Sequence, residues 1–147
     1  MSAKIVSINV SKTKGVRKRN IKKCRLIKNF GLEGDAHAAP GIRQVSLLGI
    51  ESINAMKKQG YNVSCGGFGE NITTEGIVLY KLPLKTKLKV NNVVLEVSQI
   101  GKVCHRPCKI FYDVGKCIMP EQGVFAKVLE EGEVRVGDGI ERWRANK

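Results

Sequence analysis

Hydrophobic and polar positions change over along this chain in short stretches, and most of those stretches have the period of a strand. Lys4 to Val10 alternates with period two, as a half-buried strand requires. Lys22 to Phe30 alternates less cleanly and runs into the turn-rich Gly31-Leu32-Glu33-Gly34-Asp35. Gln44 to Leu48 is a short apolar run broken by Gly49. Ile50 to Gln59 then places Ile50, Ile53 and Met56 at helical spacing, with Gly60 as a C-terminal stop, which predicts one amphipathic helix. The segment from Ser64 to Asn71 is too glycine-rich for regular structure. Ile72 to Thr74 and Gly76 to Leu79 read as strand fragments. Leu82 to Val90 and Val93 to Ile100 read as two strands joined at Asn91-Asn92, a hairpin signal. Val124, Val128 and Leu129 recur at helical spacing, so Gly123 to Glu130 is expected to be a second helix closed by Gly132, before a last strand from Val134 to Ile140 that contains a turn at Gly137-Asp138. Many short strands with few short helices favour a mainly β fold: a β-barrel with a few short helices packed on it.

Length and composition narrow the class. The 147 residues fit one domain, 42% of them are hydrophobic, and a chain of this size buries roughly two-thirds of its unfolded surface. No apolar run approaches the ~20 residues of a membrane span, and the first residues lack the pattern of a secretory signal. A cytoplasmic protein with no membrane span is therefore expected. Charge adds to this picture. Lys and Arg number 26 against 13 Asp and Glu, a formal net charge of +13. Ten of those cations, from Lys4 to Lys28, precede the first acid, Glu33, and Lys81, Lys85, Lys87 and Lys89 form a second run. Such a field attracts polyanions, so a basic binding module for nucleic acid or for an acidic protein partner is one reading; a solvated lysine-rich surface is another. Five cysteines, an odd number, argue for reduced thiols rather than a disulfide framework.

The chemistry-bearing residues fall in three places. Cys104-His105-Arg106-Pro107-Cys108, with Cys117 beyond, follows the strand ending at Ile100. Pro107 stiffens that turn, and Arg106, Lys109 and His105 supply the positive charge that lowers a thiol pKa. A reactive thiolate, an inert thiol pair and a structural zinc-thiolate domain built from Cys104, His105, Cys108 and Cys117 all remain open on this pattern, although the spacing departs from the common zinc ladders. Second, the glycines before Glu70 and Asn71 are able to form an anion nest of backbone N–H groups, or merely a tight crossing. Third, His37 lies in a loop after Asp35, and Arg43 opens a strand as a phosphate-binding fork.

Taken in order, Gly31 to His37, Arg43 to Leu48, Phe68 to Thr73, Ile100 to Cys108, Cys117 to Pro120 and Gly123 to Val128 resemble the MOSC domain, the family related to the C-terminal domain of molybdenum cofactor sulfurases. The resemblance runs over about residues 17–142 of a single 1–147 domain and is to the short stand-alone form. It implies a β-barrel and a pocket for the molybdenum cofactor, that is, a molybdopterin or a related small-molecule pterin. It places the family's sulfur-carrying or molybdenum-ligating cysteine at Cys108, with Cys104 and His105 beside it as catalytic candidates. It makes Asn71, Arg43, Ser46, His37 and Arg106 the cofactor-binding candidates. Where one branch of the family has an arginine just ahead of the asparagine, Gly69 and Glu70 stand here. The implied partners are a cysteine desulfurase and proteins of molybdenum cofactor biosynthesis or molybdoenzymes, and the implied activity is a sulfurtransferase or sulfur carrier. Pyridoxal phosphate binding is associated with the resemblance at family level only.

Overall fold

The computed structural model describes residues 3–101 and 118–143. Seven strands close into a barrel: β1 (Ala3–Val10), β5 (Val45–Gly49), β6 (Ile72–Glu75), β7 (Lys87–Val90), β8 (Val93–Ile100), β9 (Val124–Glu130) and β11 (Gly139–Trp143). Around the barrel the order is β1, β6, β5, β9, β8, β7, β11, and the Ala3–Ile140 pairing of β11 with β1 closes it. The β5–β6 pair is parallel, and its neighbours in the barrel pair antiparallel. Parallel neighbours need a crossover. Here it consists of the helix α1 (Ile50–Lys58) and the glycine-rich segment after it. A small sheet of β10 (Gly132–Arg135), β3 (Lys23–Ile27) and β4 (Gly31–Leu32) lies alongside, and β2 (Arg19–Ile21) pairs with the end of β1.

Two apolar layers follow from the strand pattern. Ile5, Ile8, Leu47, Ile72, Leu88, Leu95 and Ala126 fill the barrel interior. Leu48 and Phe125 face the other way and pack with Ile53 and Met56 of α1, Phe68, Ile118 and Met119. β5 is thus covered on both sides, so Val45 to Leu48 is continuously buried rather than alternating. α1 ends as its sequence predicts: Gly60 adopts φ +98, its N–H donates to Lys57 O, and the Tyr61 N–H donates back to Met56 O. That pairing satisfies carbonyls the helix end would otherwise orphan. The Asn91-Asn92 hairpin also forms, with Val90 opposite Val93 and Asn91 at φ +54.

Three element expectations are corrected. Gly123 to Glu130 is strand β9, not a helix, because Val124, Phe125 and Ala126 are all buried between two apolar layers and show no period of two. Leu82 to Val90 forms a strand only from Lys87. Gly76 to Leu79 is a bend leading into a 3₁₀ turn at Leu79–Lys81.

Candidate functional site

Asn71 sits immediately before β6, 1% exposed, where the barrel wall meets the glycine-rich crossover. Its Oδ1 accepts from the Ser46 backbone N–H (3.0 Å) and the Ser46 hydroxyl (3.1 Å), and its Nδ2 donates to Asn9 O (3.2 Å). The Asn71 N–H returns to Ser46 Oγ at 2.9 Å. Two strands adjacent in space but 25 residues apart in sequence are therefore locked by one amide and one hydroxyl. This is a long-range tie, not the local backbone bond that a turn asparagine usually makes.

Asp35 extends the lock. Its Oδ1 accepts from the Ser11 N–H (3.0 Å) and from Lys18 Nζ (2.7 Å), and its Oδ2 accepts from the His37 N–H (3.1 Å). The Lys18–Asp35 pair is sealed, with side chains 0% and 1% exposed. Burial pushes the Asp35 carboxyl upward, but Lys18, the Ser11 N–H and the Asn71 amide outweigh it and hold the carboxyl below its ordinary value. Lys18 Nζ also lies 3.0 Å from His37 Nδ1. An ammonium has no lone pair to offer, so Nδ1 is the acceptor in this hydrogen bond and the ring proton sits on Nε2. His37 is thereby oriented from behind, while its side chain stays 38% exposed.

The glycine-rich segment forms a nest, and the chain's own carboxylate occupies it. Glu70, fully buried, accepts from the Gly66 N–H (2.8 Å), the Phe68 N–H (3.2 Å) and the Thr73 hydroxyl (2.8 Å). Burial raises the Glu70 pKa, and those hydrogen bonds offset the rise only in part. Asn9 Nδ2 bonds Glu70 O and Thr73 Oγ1, both at 3.1 Å, which joins the nest to β1. An arginine ahead of Asn71 has no place here, because position 70 is a structural acceptor.

Of the residues picked out by sequence, Ser46, Asn71 and His37 come together through Asp35 and Lys18. Arg43 is exposed at the entrance to β5. Next to it, Ile42 O accepts from the Ser98 hydroxyl, so the Arg43 loop is stapled to β8 near its end. Cys104, His105, Arg106, Cys108 and Cys117 lie outside the described residues. Cys24 is buried in the core, which pushes its thiol up to about 11, and Cys65 is partly exposed. Among the described residues no group of His, Cys, Asp or Glu is arranged to hold a metal ion. Sequence reasoning missed Lys18 and Glu70. For Glu70 the signal was present, an acid immediately after a run of glycines whose N–H groups need an acceptor.

A closed barrel carrying this polar lock defines a recognisable class. The profile of the MOSC domain matches residues 33–141, and the chain belongs to that family. No functionally curated protein matches it. Among solved structures it is similar to the YuaD protein of Bacillus subtilis, with a TM-score of 0.79 at 19% identity over 98% of each chain. It is also similar to YiiM of Geobacillus stearothermophilus, with a TM-score of 0.73 at 21% identity over 97% of this chain and 75% of that one. YiiM of Escherichia coli gives 0.72 at 18% identity, over 99% and 71%. These likenesses establish the fold. Among the described residues no helix is long and apolar enough to cross a membrane.

Proposed function

We propose that this chain handles a molybdopterin-type cofactor and carries or passes sulfur through Cys108. The observation that supports the reading most is the lock itself. Asn71, Ser46, Asp35 and Lys18 bring three separated motif segments of the MOSC domain to one place, and the Ser98–Ile42 bond ties the Arg43 loop to the strand that leads into Cys104 and Cys108. The donor set suits such a guest. Arg43 offers a planar fork for a phosphate, and the partly exposed His37 imidazole stands on the same lock, beside Lys18. The hydrogen-bonding atoms of Asn71 are taken up by Ser46, Asn9 and Asp35, so its part is to fix the wall rather than read the ligand.

Sulfur transfer at Cys108 balances as an exchange. The Cys108 thiolate attacks the outer sulfur of a donor persulfide, such as that of a cysteine desulfurase; the donor leaves as a thiolate and Cys108 becomes the persulfide. Attack of the Cys104 thiolate on the Cys108 sulfur then forms a disulfide and releases hydrosulfide. Arg106 and His105 supply positive charge that favours the thiolate. When bound, the cofactor offers molybdenum as a soft-ligand partner for the same sulfur.

The test is intact mass after incubation with a desulfurase and cysteine. The wild type is expected to gain about 32 Da, one sulfur atom, in a reductant-labile form, and Cys108→Ser to gain none and to retain less pterin. Equal loading and equal retention in both proteins would end the proposal.

A further inference from the structure

We propose that the groove between β1, β2 and the β10–β11 turn is a second binding site, for a small organic phosphate ester. It has a volume of about 680 Å³ and is lined by Val6, Ser7, Ile21, Lys22, Lys23, Cys65 and Arg135, among others. That size falls within the roughly 300–1,000 Å³ of small-molecule sites.

The charge on its lip is what points to an anion. Lys23 on β3 stands directly opposite Arg135 on β10 in the antiparallel register. Like charges at directly opposed positions repel, and sheets ordinarily place opposite charges there. Two residues along, on the same face, the same pair of strands does so, with Arg25 opposite Glu133. Glu133 also touches the Arg135 guanidinium at 3.0 Å, but Lys22 and Lys23 make no ion pair among the described residues. Three cations therefore line one concavity. Of the acids beside them, Glu133 pairs with the Arg135 guanidinium and Asp138 already accepts from the Arg135 N–H and the Asn91 amide, while neither lysine has an ionic partner among the described residues. A phosphate monoester, carrying up to two charges and three acceptor oxygens, meets that arrangement through the Arg135 fork and two lysine point charges.

The floor is held rigid. The Asn20 amide donates to Ser7 Oγ (3.2 Å), Asn9 Oδ1 (2.6 Å) and Cys65 O (3.1 Å), and the Val136 N–H donates to Lys22 O (3.0 Å), which fixes the lip to the turn. Val6, Ile21 and the 44%-exposed Val136 supply an apolar surface for the organic part of the ester. Lys22, Lys23 and Arg135 line a single concavity rather than a track along the surface, which suits a compact ligand better than a nucleic-acid backbone, whose charges need an extended run of contacts. This site is independent of the role given to Cys108.

The experiment uses AMP as the probe, with adenosine and duplex DNA as controls, on the whole chain. Calorimetry is expected to show AMP binding and none by adenosine at the same concentration. The double variant Lys22→Ala/Lys23→Ala, whose side chains are exposed and whose circular dichroism is expected to be unchanged, should bind AMP about tenfold more weakly through the loss of two charge-assisted contacts. AMP should also slow iodoacetamide alkylation of Cys65, read by peptide mass spectrometry, in the wild type and not in the double variant. No AMP binding at millimolar concentration, undiminished binding by the variant, unprotected Cys65, or binding of duplex DNA alone would each overturn the proposal.

Discussion

Lys18 shows how one side chain carries more than its surroundings suggest. It belongs to a run of cations that otherwise face solvent, yet its ammonium is sealed against Asp35, Ser11 Oγ and His37. Lys18→Met removes the charge and leaves the Asp35 carboxylate buried without its cation. Loss of one partner of a buried pair costs about 3–5 kcal/mol, to be read as a lower urea midpoint with an unchanged slope. Lys18→Met/Asp35→Leu should recover much of that loss, since apolar replacement of both partners is often close to neutral. A double variant no more stable than Lys18→Met would show that the damage comes from packing rather than from an orphaned charge.

The two buried acids act on stability in opposite directions as pH changes. The Asp35 carboxyl is held below its ordinary value, so its contribution is present above about pH 3.9, the unfolded value, and is lost as pH falls through the lower folded one. The Glu70 carboxyl is raised, so the folded state holds its proton longer than the unfolded chain does. Its contribution is complete below about pH 4.3 and declines as pH rises from there through the folded value. Urea unfolding measured across pH should therefore show Asp35→Asn removing a loss at the acid end and Glu70→Gln removing a decline on the less acid side. Equal pH profiles for wild type and Glu70→Gln would contradict the assignment.

Among the elements, the glycine-rich crossover is the one whose shape the site depends on. Gly66 adopts φ +85, and a Cβ there would lie 2.6 Å from Lys18 O, the carbonyl of the residue that holds Asp35. Gly66→Ala combines backbone strain with displacement of Lys18, and a loss of about 1–3 kcal/mol is expected in chemical denaturation. Gly60→Ala, where φ is +98 but the added methyl meets nothing, should cost less. If the two substitutions cost the same, close approach at Gly66 is not a constraint. The contrast also explains what could be read from sequence. β1 announces itself because apolar Ile8 and Val10 alternate with polar Ser7 and Asn9, although all four are buried and the polar pair is satisfied by hydrogen bonds. α1 with its Gly60 stop and the Asn91-Asn92 hairpin do so because one helix face is wet and a turn needs a special residue. β9 does not, since Val124, Phe125 and Ala126 are covered on both sides and their apolar run imitates a helix. Ser46 and Asn71 were visible as motif positions. Lys18 was not, because its partner is seventeen residues away and nothing local separates it from its exposed neighbours.

For the whole molecule the governing quantity is the net charge of +13. The exposed pairs Lys4–Glu75, Arg25–Glu131 and Arg135–Glu133 neutralise some cations, as does the half-buried Lys127–Glu96 at 4.0 Å, but an exposed pair is worth only about 0–1 kcal/mol. With 13 acids against 26 bases, at least half of the cations are in excess of any acidic partner, and folding concentrates their repulsion. Salt acts on both terms. Raising ionic strength from about 0.01 M to about 0.15 M shortens the screening length from about 30 Å to about 8 Å, which weakens the long-range repulsion more than contacts at a few ångströms. The sealed Lys18–Asp35 pair is screened least of all. The repulsive term should therefore dominate the response, and the melting temperature should rise by about 2–6 °C over that range, as a gain of about 1 kcal/mol produces in a domain of this size. A melting temperature that stays level or drops would mean that attractive pairs, not the excess of lysine and arginine, set the electrostatic balance of the barrel.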